Sequence, residues 1–168
     1  MKLSQLKTAY RNKGFTLVEV IVVMAIIVIL SGLGLFSFNF VQRKQRAEQA
    51  NIQIAEMDAK VAEYKLDVGA PLLGDASDNS SIALYQMLSG DANNDGQLDE
   101  GANAYITSMV SGGQKRGYKV SPSYQIMDPY NRPYRYQYPG QRNPPNEVDI
   151  WSAGPDGIDG NEDDHKNW

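Results

Sequence analysis

The stretch that decides the architecture is Phe15–Val41, FTLVEVIVVMAIIVILSGLGLFSFNFV, in which Glu19 is the only charged residue. As a helix it reaches roughly 40 Å, against a bilayer hydrocarbon core of about 30 Å. A core helix of a soluble domain is rarely so uniformly apolar, so the run predicts a membrane-spanning helix. Lys2, Lys7, Arg11 and Lys13 precede it, and the small residue Gly14 stands at its entrance. A basic start and an apolar run also describe a secretory signal peptide. Signal peptidase, however, cuts after the apolar region, and here the small residue comes before it. Cleavage at Gly14 leaves the apolar run on the mature chain. Glu19 then needs a reason, because an acid in hydrocarbon costs several kcal/mol and marks a functional residue by default. The amine freed on Phe15 is its evident partner, in the same chain or a neighbour. The alternative places Glu19 in the headgroup region near the helix end.

Lys13-Gly14-Phe15-Thr16-Leu17-Val18-Glu19 resembles the processing site of type IV pilins and type II secretion pseudopilins. The resemblance implies that a prepilin peptidase cuts between Gly14 and Phe15 and methylates the new amine. It also implies that Glu19 pairs with that amine between subunits and sets the axial register of a filament. The leader would lie in the cytoplasm and the C-terminal domain in the periplasm, with a single pass through the bacterial inner membrane. The implied partners are copies of the chain itself, the peptidase, minor pseudopilins and the inner-membrane assembly platform. Many family members carry a proline where this chain has Phe36. Gly32 and Gly34 can supply helical softness instead, since glycine weakens a helix interior by about 1 kcal/mol.

Beyond Arg43, Lys44 and Arg46 the pattern becomes periodic. Ala47, Ala50, Ile54, Met57, Val61, Tyr64 and Val68 recur every three or four residues, an apolar stripe on one helical face. Glu56 and Lys60 form a favourable i, i+4 pair off that stripe. Gly69, Ala70 and Pro71 end the helix. The small alanines favour core packing over a coiled-coil seam. A shorter helix is expected over Ser81–Leu88, with Asp78, Asn79 or Ser80 as its cap. Farther on, Tyr134, Tyr136 and Tyr138 alternate with Arg135 and Gln137, and Val148 and Ile150 with Asp149 and Trp151. Period two on both sides of the Pro139-Gly140 turn predicts an antiparallel hairpin.

The strings EYKLDVG, DPYNRPYRYQYPG and EVDIWSAGPDG, with the closing NW, are similar to the major pseudopilins of type II secretion. The implied fold is α+β and type IV pilin-like, a long N-terminal helix packed on a small antiparallel sheet with a calcium-binding C-terminal loop. The expected organisation is a cleaved leader over 1–14, a membrane and filament-core helix over 15–41, and an exported domain over 42–168. That domain divides into an amphipathic helix (42–68), a variable region (69–127) and a hairpin with the C-terminal loop (128–168).

Net charge is −4, and without the basic leader 12 basic residues face 20 acidic ones, a net of −8. An acidic exported domain argues against nucleic-acid binding, which needs clustered Lys and Arg. Sheet packing therefore explains the tyrosines better than base stacking. The chain has no cysteine. Small extracytoplasmic domains often rely on disulfides or a metal, so calcium becomes the candidate staple. Packing alone is the alternative.

Two loops offer oxygen ligands of the kind calcium takes. The tail GPDGIDGNEDDHKNW crowds Asp156, Asp159, Glu162, Asp163 and Asp164 together. The family resemblance implies ligation by Asp156, Asp163 and Asp164 with the main-chain carbonyl of Ala153, and Asp159 is an extra acid. A solvated acidic tail is the alternative. The second loop, DANNDGQLDEGA, reads as the start of an EF-hand-type site. Asp91, Asn93 and Asp95 take the first ligand positions, Gln97 offers its carbonyl and Asp99 stands ninth. The twelfth position, where a bidentate Glu belongs, is Ala102, so Glu100 or a water would substitute. The alternative is a polar turn that binds nothing.

Nothing in the sequence supports an enzyme: His165 is the only histidine, and no nucleophile turn is present. His165 among the tail acids makes transition-metal ligation a weaker reading than calcium. The expected function is a structural subunit of a periplasmic pseudopilus that drives protein export. A type IV pilus pilin is the nearest alternative, disfavoured because pilins commonly close a C-terminal loop with a disulfide. A stand-alone membrane-anchored calcium module is the other, and it needs neither the leader context nor Glu19.

Overall fold

A computed structural model describes residues 14–110, 118–144 and 147–168, and within the first helix the side chains of all but 33–39. The basic leader residues Lys2, Lys7, Arg11 and Lys13 lie outside the described residues, and Gly34 and Phe36 are described only as helical backbone. The chain divides into two units, Met1–Gln42 and Arg43–Trp168. Helix α1, Leu17–Val68, contributes to both.

In the first unit the helix begins at a capping box that the sequence states openly. Thr16 Oγ1 accepts the N–H of Glu19 at 3.3 Å, and Glu19 Oε2 accepts the N–H of Thr16 at 2.7 Å and its hydroxyl at 2.8 Å. Threonine followed three residues later by glutamate, ahead of an apolar run, is the pattern that satisfies two orphan N–H groups at once. Beyond it, Leu17, Val18, Val20, Ile21, Val22, Val23, Met24, Ile26, Ile27, Val28, Ile29 and Leu30 are all exposed. Apolar side chains thus face outward all round this helix. Among the described residues no helix is long and apolar enough to cross a membrane.

The second unit builds its own core. From α1, Ala50, Ile54, Met57 and Val61 are buried, as the stripe requires, with Tyr64 packed at its edge. The stripe ends one turn early, for Val68 is 60% exposed beside Gly69, whose left-handed φ of 104° closes the helix. Glu56 accepts the Tyr118 hydroxyl at 3.1 Å and Lys60 pairs with Glu63 at 2.7 Å, so the expected i, i+4 pair gives way to i, i+3.

The remaining elements are β1 (Gly74–Asp75), α2 (Ser80–Ser89), a 3₁₀ turn (Thr107–Met109), β2 (Lys119–Val120), β3 (Ile126–Met127), β4 (Arg135–Tyr138), β5 (Asp149–Ser152) and β6 (His165–Lys166). The main sheet is antiparallel in the order β1-β4-β5-β6, and β2 and β3 form a separate hairpin. The predicted hairpin pairs Tyr136 with Ile150, both fully buried on the face toward the core. Tyr85, Leu84, Met87 and Leu88 of α2 join that core, together with Tyr134 and Ile126. The tyrosines are core, as the acidic composition argued.

Helix α2 corrects one expectation. Asn79 stands at the cap position in a helical conformation and makes no capping bond. Ser80 turns back instead: its hydroxyl donates to the Ser77 carbonyl at 2.6 Å and accepts the N–H of Tyr136 at 2.9 Å. A side chain that ties the helix to strand β4 serves the fold better here than one that caps its own turn. At the other end, Gly90 takes φ 72°, and a Cβ there would meet the Asn103 carbonyl oxygen at 2.8 Å.

Candidate functional site

Two regions carry the expected chemistry, the processing site and the acidic loops. At the first, Gly14 and Phe15 precede α1 and both are exposed, Phe15 to 85%. The Gly14–Phe15 bond, the expected cleavage point, therefore lies in accessible chain beside a capped helix start. In the subunit Glu19 is already engaged by Thr16, which holds its carboxylate back over the first turn toward the Phe15 end.

In the C-terminal loop, Gly154 adopts φ 60° and packs against Asp163. A Cβ at Gly154 would meet the Asp163 carbonyl at 2.4 Å and its Oδ2 at 2.9 Å, so only glycine admits this approach. Asp156 accepts the Ile158 N–H at 2.9 Å and the Asn161 amide at 2.8 Å. Asp164 Oδ2 accepts the Gly160 N–H at 2.7 Å, while its Oδ1 is buried without a partner. The Ala153 carbonyl accepts the Gly157 N–H at 3.0 Å. Among the described residues no three acid or histidine side chains converge closely enough to hold a metal ion. Asp163 and the backbone beside Ala153 are brought together, whereas Asp156 and Asp164 are turned to N–H donors of the loop.

Asp159 proves to have a different task. Its carboxylate accepts the Trp151 indole N–H at 2.7 Å and meets Arg135 at 3.3 Å. Arg135 also pairs with Asp78. Arg132 reaches into the same loop: its Nη1 donates to the Gly154 carbonyl at 2.5 Å, and its guanidinium lies where a Cβ on Gly157 would stand. Two guanidiniums thus supply part of the positive charge that the crowded acids call for.

The loop at Asp91–Ala102 is ordered around one buried carboxylate. Asp91, fully buried, accepts the Tyr85 hydroxyl at 2.7 Å and the Gly96 N–H at 2.8 Å on Oδ2, and the Asp95 N–H at 3.1 Å on Oδ1. Burial pushes this carboxyl up, but those hydrogen bonds outweigh it and hold it below the usual range. Asn93 Oδ1 accepts the Asp95 N–H, and its amide donates to Asp99 at 2.9 Å. Asp95 accepts the Gln97 N–H at 2.8 Å, leaving the Gln97 carbonyl outside these bonds.

Sequence reasoning passed over two further carboxylates. Asp149 alternates with the buried Val148 and Ile150, yet it is itself buried and accepts the N–H groups of Gln141, Arg142 and Asn143 at 2.7, 2.8 and 2.9 Å. Asp128, also buried, accepts from Tyr130, Arg132 and the Ser152 hydroxyl. The signal for Asp128 was present, since Asp followed by Pro opens a type I turn in DPYN. His165 is held between the Tyr130 hydroxyl at 3.1 Å and Asn51 Oδ1 at 3.0 Å, with its ring stacked on Tyr130. Burial lowers its pKa. Both ring nitrogens are occupied, which leaves none for a metal. Asn167 joins β5 to α1, accepting from Ile150 and donating to Asp58.

Comparison with known proteins fits this arrangement. Residues 10–35 match the family described as the prokaryotic N-terminal methylation motif. Residues 80–168 match type II secretion system (T2SS), protein G, a range that covers α2, strands β2 to β6 and both acidic loops. The chain belongs to the protein G family of type II secretion. Among similar proteins, the type II secretion system core protein G of Aeromonas hydrophila is 30% identical over 94% of this chain and 93% of the relative. That of Pectobacterium carotovorum subsp. carotovorum is 27% identical over 96% of this chain and 88% of the relative. That of Pseudomonas aeruginosa is 27% identical over 94% and 96%. The matches run nearly end to end, so the poorly patterned middle belongs to the same protein G chain as its two recognisable ends.

Proposed function

We propose that this protein is a structural subunit of the type II secretion pseudopilus, processed by a prepilin peptidase, anchored by α1 and carrying its second unit in the periplasm. The observation that carries this reading is the exposed apolar surface of α1 behind a methylation motif. A helix apolar on all sides is stable only in lipid or against other helices like itself. Lipid before assembly and sister subunits after it would provide both in turn. Copies of the chain, minor pseudopilins and an inner-membrane platform are the partners this requires. A structural role without catalysis is the reading the family suggests, and the buried carboxylates described above are engaged by backbone N–H groups and by the Tyr85 and Ser152 hydroxyls.

The chain has no cysteine, which makes the self-association test clean. Single cysteines at Val20, Val23 or Ile27 should give disulfide-linked dimers and higher species in membranes that contain the assembly machinery. Crosslinking no greater than that of an exposed position in the second unit would count against polymerisation through α1.

Calcium is the cofactor we propose. The C-terminal loop offers the donors a hard cation prefers: they are all oxygen, Asp164 Oδ1 is buried and unpartnered, and Gly154 lets Asp163 come close to the backbone beside Ala153. Asp156, Asp163, Asp164 and the Ala153 carbonyl would hold the ion. Its chemistry would be to neutralise acids that otherwise repel and to fix the tail against β5. The loop of Asp91, Asn93, Asp95, Gln97 and Asp99 is the weaker site, because Ala102 stands where the last carboxylate belongs. Calorimetric titration of the protein, with Asp163→Ala/Asp164→Ala and Asp95→Ala as variants, ranks the two. No heat at millimolar calcium removes both.

A further inference from the structure

Residues 47–168 hold nine basic and nineteen acidic residues, a net of −10, yet the second unit opens with Arg43, Lys44 and Arg46. All three are exposed, and among the described residues none has an ion-pair partner. Glu48, one turn beyond Lys44, pairs with neither that lysine nor its neighbours. At 100° per residue the three cations cover roughly half the circumference of α1 within about 4.5 Å of rise. They begin two residues after Val41, the last residue of the apolar run. Five helical residues advance about 7.5 Å, close to the depth of one headgroup layer, about 5–7 Å.

We propose that Arg43, Lys44 and Arg46 form a basic collar that binds the headgroups of anionic phospholipids in the outer leaflet of the inner membrane. The inference rests on the membrane-anchored reading above. An acidic domain held at an anionic surface is repelled by it, and a basic band at its base is the arrangement that offsets the repulsion. The collar would hold the subunit at the membrane surface until assembly extracts it. An acidic face of a second copy is the competing occupant. It is disfavoured because the cations stand in sequence directly after the apolar run, at headgroup depth.

The test uses the chain processed to Phe15, reconstituted into phosphatidylcholine vesicles doped with phosphatidylglycerol and then captured in polymer-bounded discs. The phosphatidylglycerol share of protein-containing discs is compared with that of the bulk. Each cation near an anionic surface contributes up to roughly fivefold in lipid preference. Wild type should therefore be enriched at least about threefold, and salt near 1 M, where the Debye length is about 3 Å, should abolish the enrichment. Arg43→Gln/Lys44→Gln/Arg46→Gln should fall to the bulk ratio with unchanged circular dichroism, while Arg142→Gln keeps the enrichment. A bulk ratio in wild type, or enrichment that survives in the triple variant, overturns the collar. So does a triple variant that loses copy-to-copy crosslinking in pure phosphatidylcholine, since the occupant is then a second subunit. A chain recovered in no discs at all refutes the anchored reading itself.

Discussion

Asp149→Asn offers a sharp test of how this cysteine-free domain is held together. Oδ2 of Asp149 accepts two N–H groups, from Gln141 and Arg142, and Oδ1 accepts one, from Asn143. Asparagine fits the same space with one oxygen. It keeps most bonds by placing that oxygen at the Oδ2 position, and its amide then faces the Asn143 N–H, donor against donor. One charge-assisted bond is lost, about 1.5–3 kcal/mol, and a buried N–H is left unpaired, about 1–3 kcal/mol. Partial access of water to the half-buried Asn143 turn brings the sum to about 2–4 kcal/mol. For a domain of this size that is a fall in Tm of roughly 10 °C. Urea unfolding of the Arg43–Trp168 unit, followed by the fluorescence of Trp151 and Trp168, measures it directly. Asp149→Ala, which surrenders all three bonds, should cost more. An asparagine variant within about 0.5 kcal/mol of wild type would instead mean that hydration of the turn suffices without the carboxylate.

Four other outcomes follow from named contacts. Gly154→Ala meets the Asp163 carbonyl at 2.4 Å and requires φ 60°, so it should destabilise the domain by roughly 2–3 kcal/mol and expose the tail to protease. Calcium should raise the Tm of the same unit, by about 2.7 kcal/mol in stability at a hundredfold excess over Kd, and Asp163→Ala/Asp164→Ala should remove most of that gain. Thr16→Ala removes the reciprocal cap and should lower helicity at the start of α1 by about 1 kcal/mol, read by hydrogen exchange in micelles. Burial, with the Glu147 charge adding and the Asn167 amide opposing, raises the Asp58 carboxyl above its usual pKa. A raised acid means that the folded state binds the proton more tightly, so stability falls as pH rises from about 4 through the folded value. Asp58→Asn should flatten that slope in melts across pH 3–7 (about one unit below to three above the usual value).

What was legible in the sequence followed from periodicity. The stripe from Ala50 to Val61, the hairpin pairing Tyr136 with Ile150, and helix α2 all rest on apolar residues recurring at 3.6 or 2 residues, and packing had no reason to overrule them. The tail acids were legible as a cluster but not as individuals. Asp159 differs from Asp156 only through Trp151 and Arg135, partners that sheet pairing brings near, and no local pattern announces them. Asp149 illustrates the same limit: alternation sends it outward, yet the chain after Pro139-Gly140 folds back over it and buries it. Lys60 took Glu63 rather than Glu56 because Tyr118, far along the chain, claimed Glu56 first. Thr16 was readable from four residues, but the acid three positions on was read only as a partner for an amine.

In the function proposed above, the chain works by polymerising through its apolar helix, with Glu19 as the assembly residue. The most direct measurement places wild type and Glu19→Val in a host whose own pseudopilin gene is deleted, and scores membrane insertion, surface filaments and secreted enzyme together. Both chains should insert equally, with filaments and secretion from wild type alone. Normal filaments and secretion from Glu19→Val would contradict it.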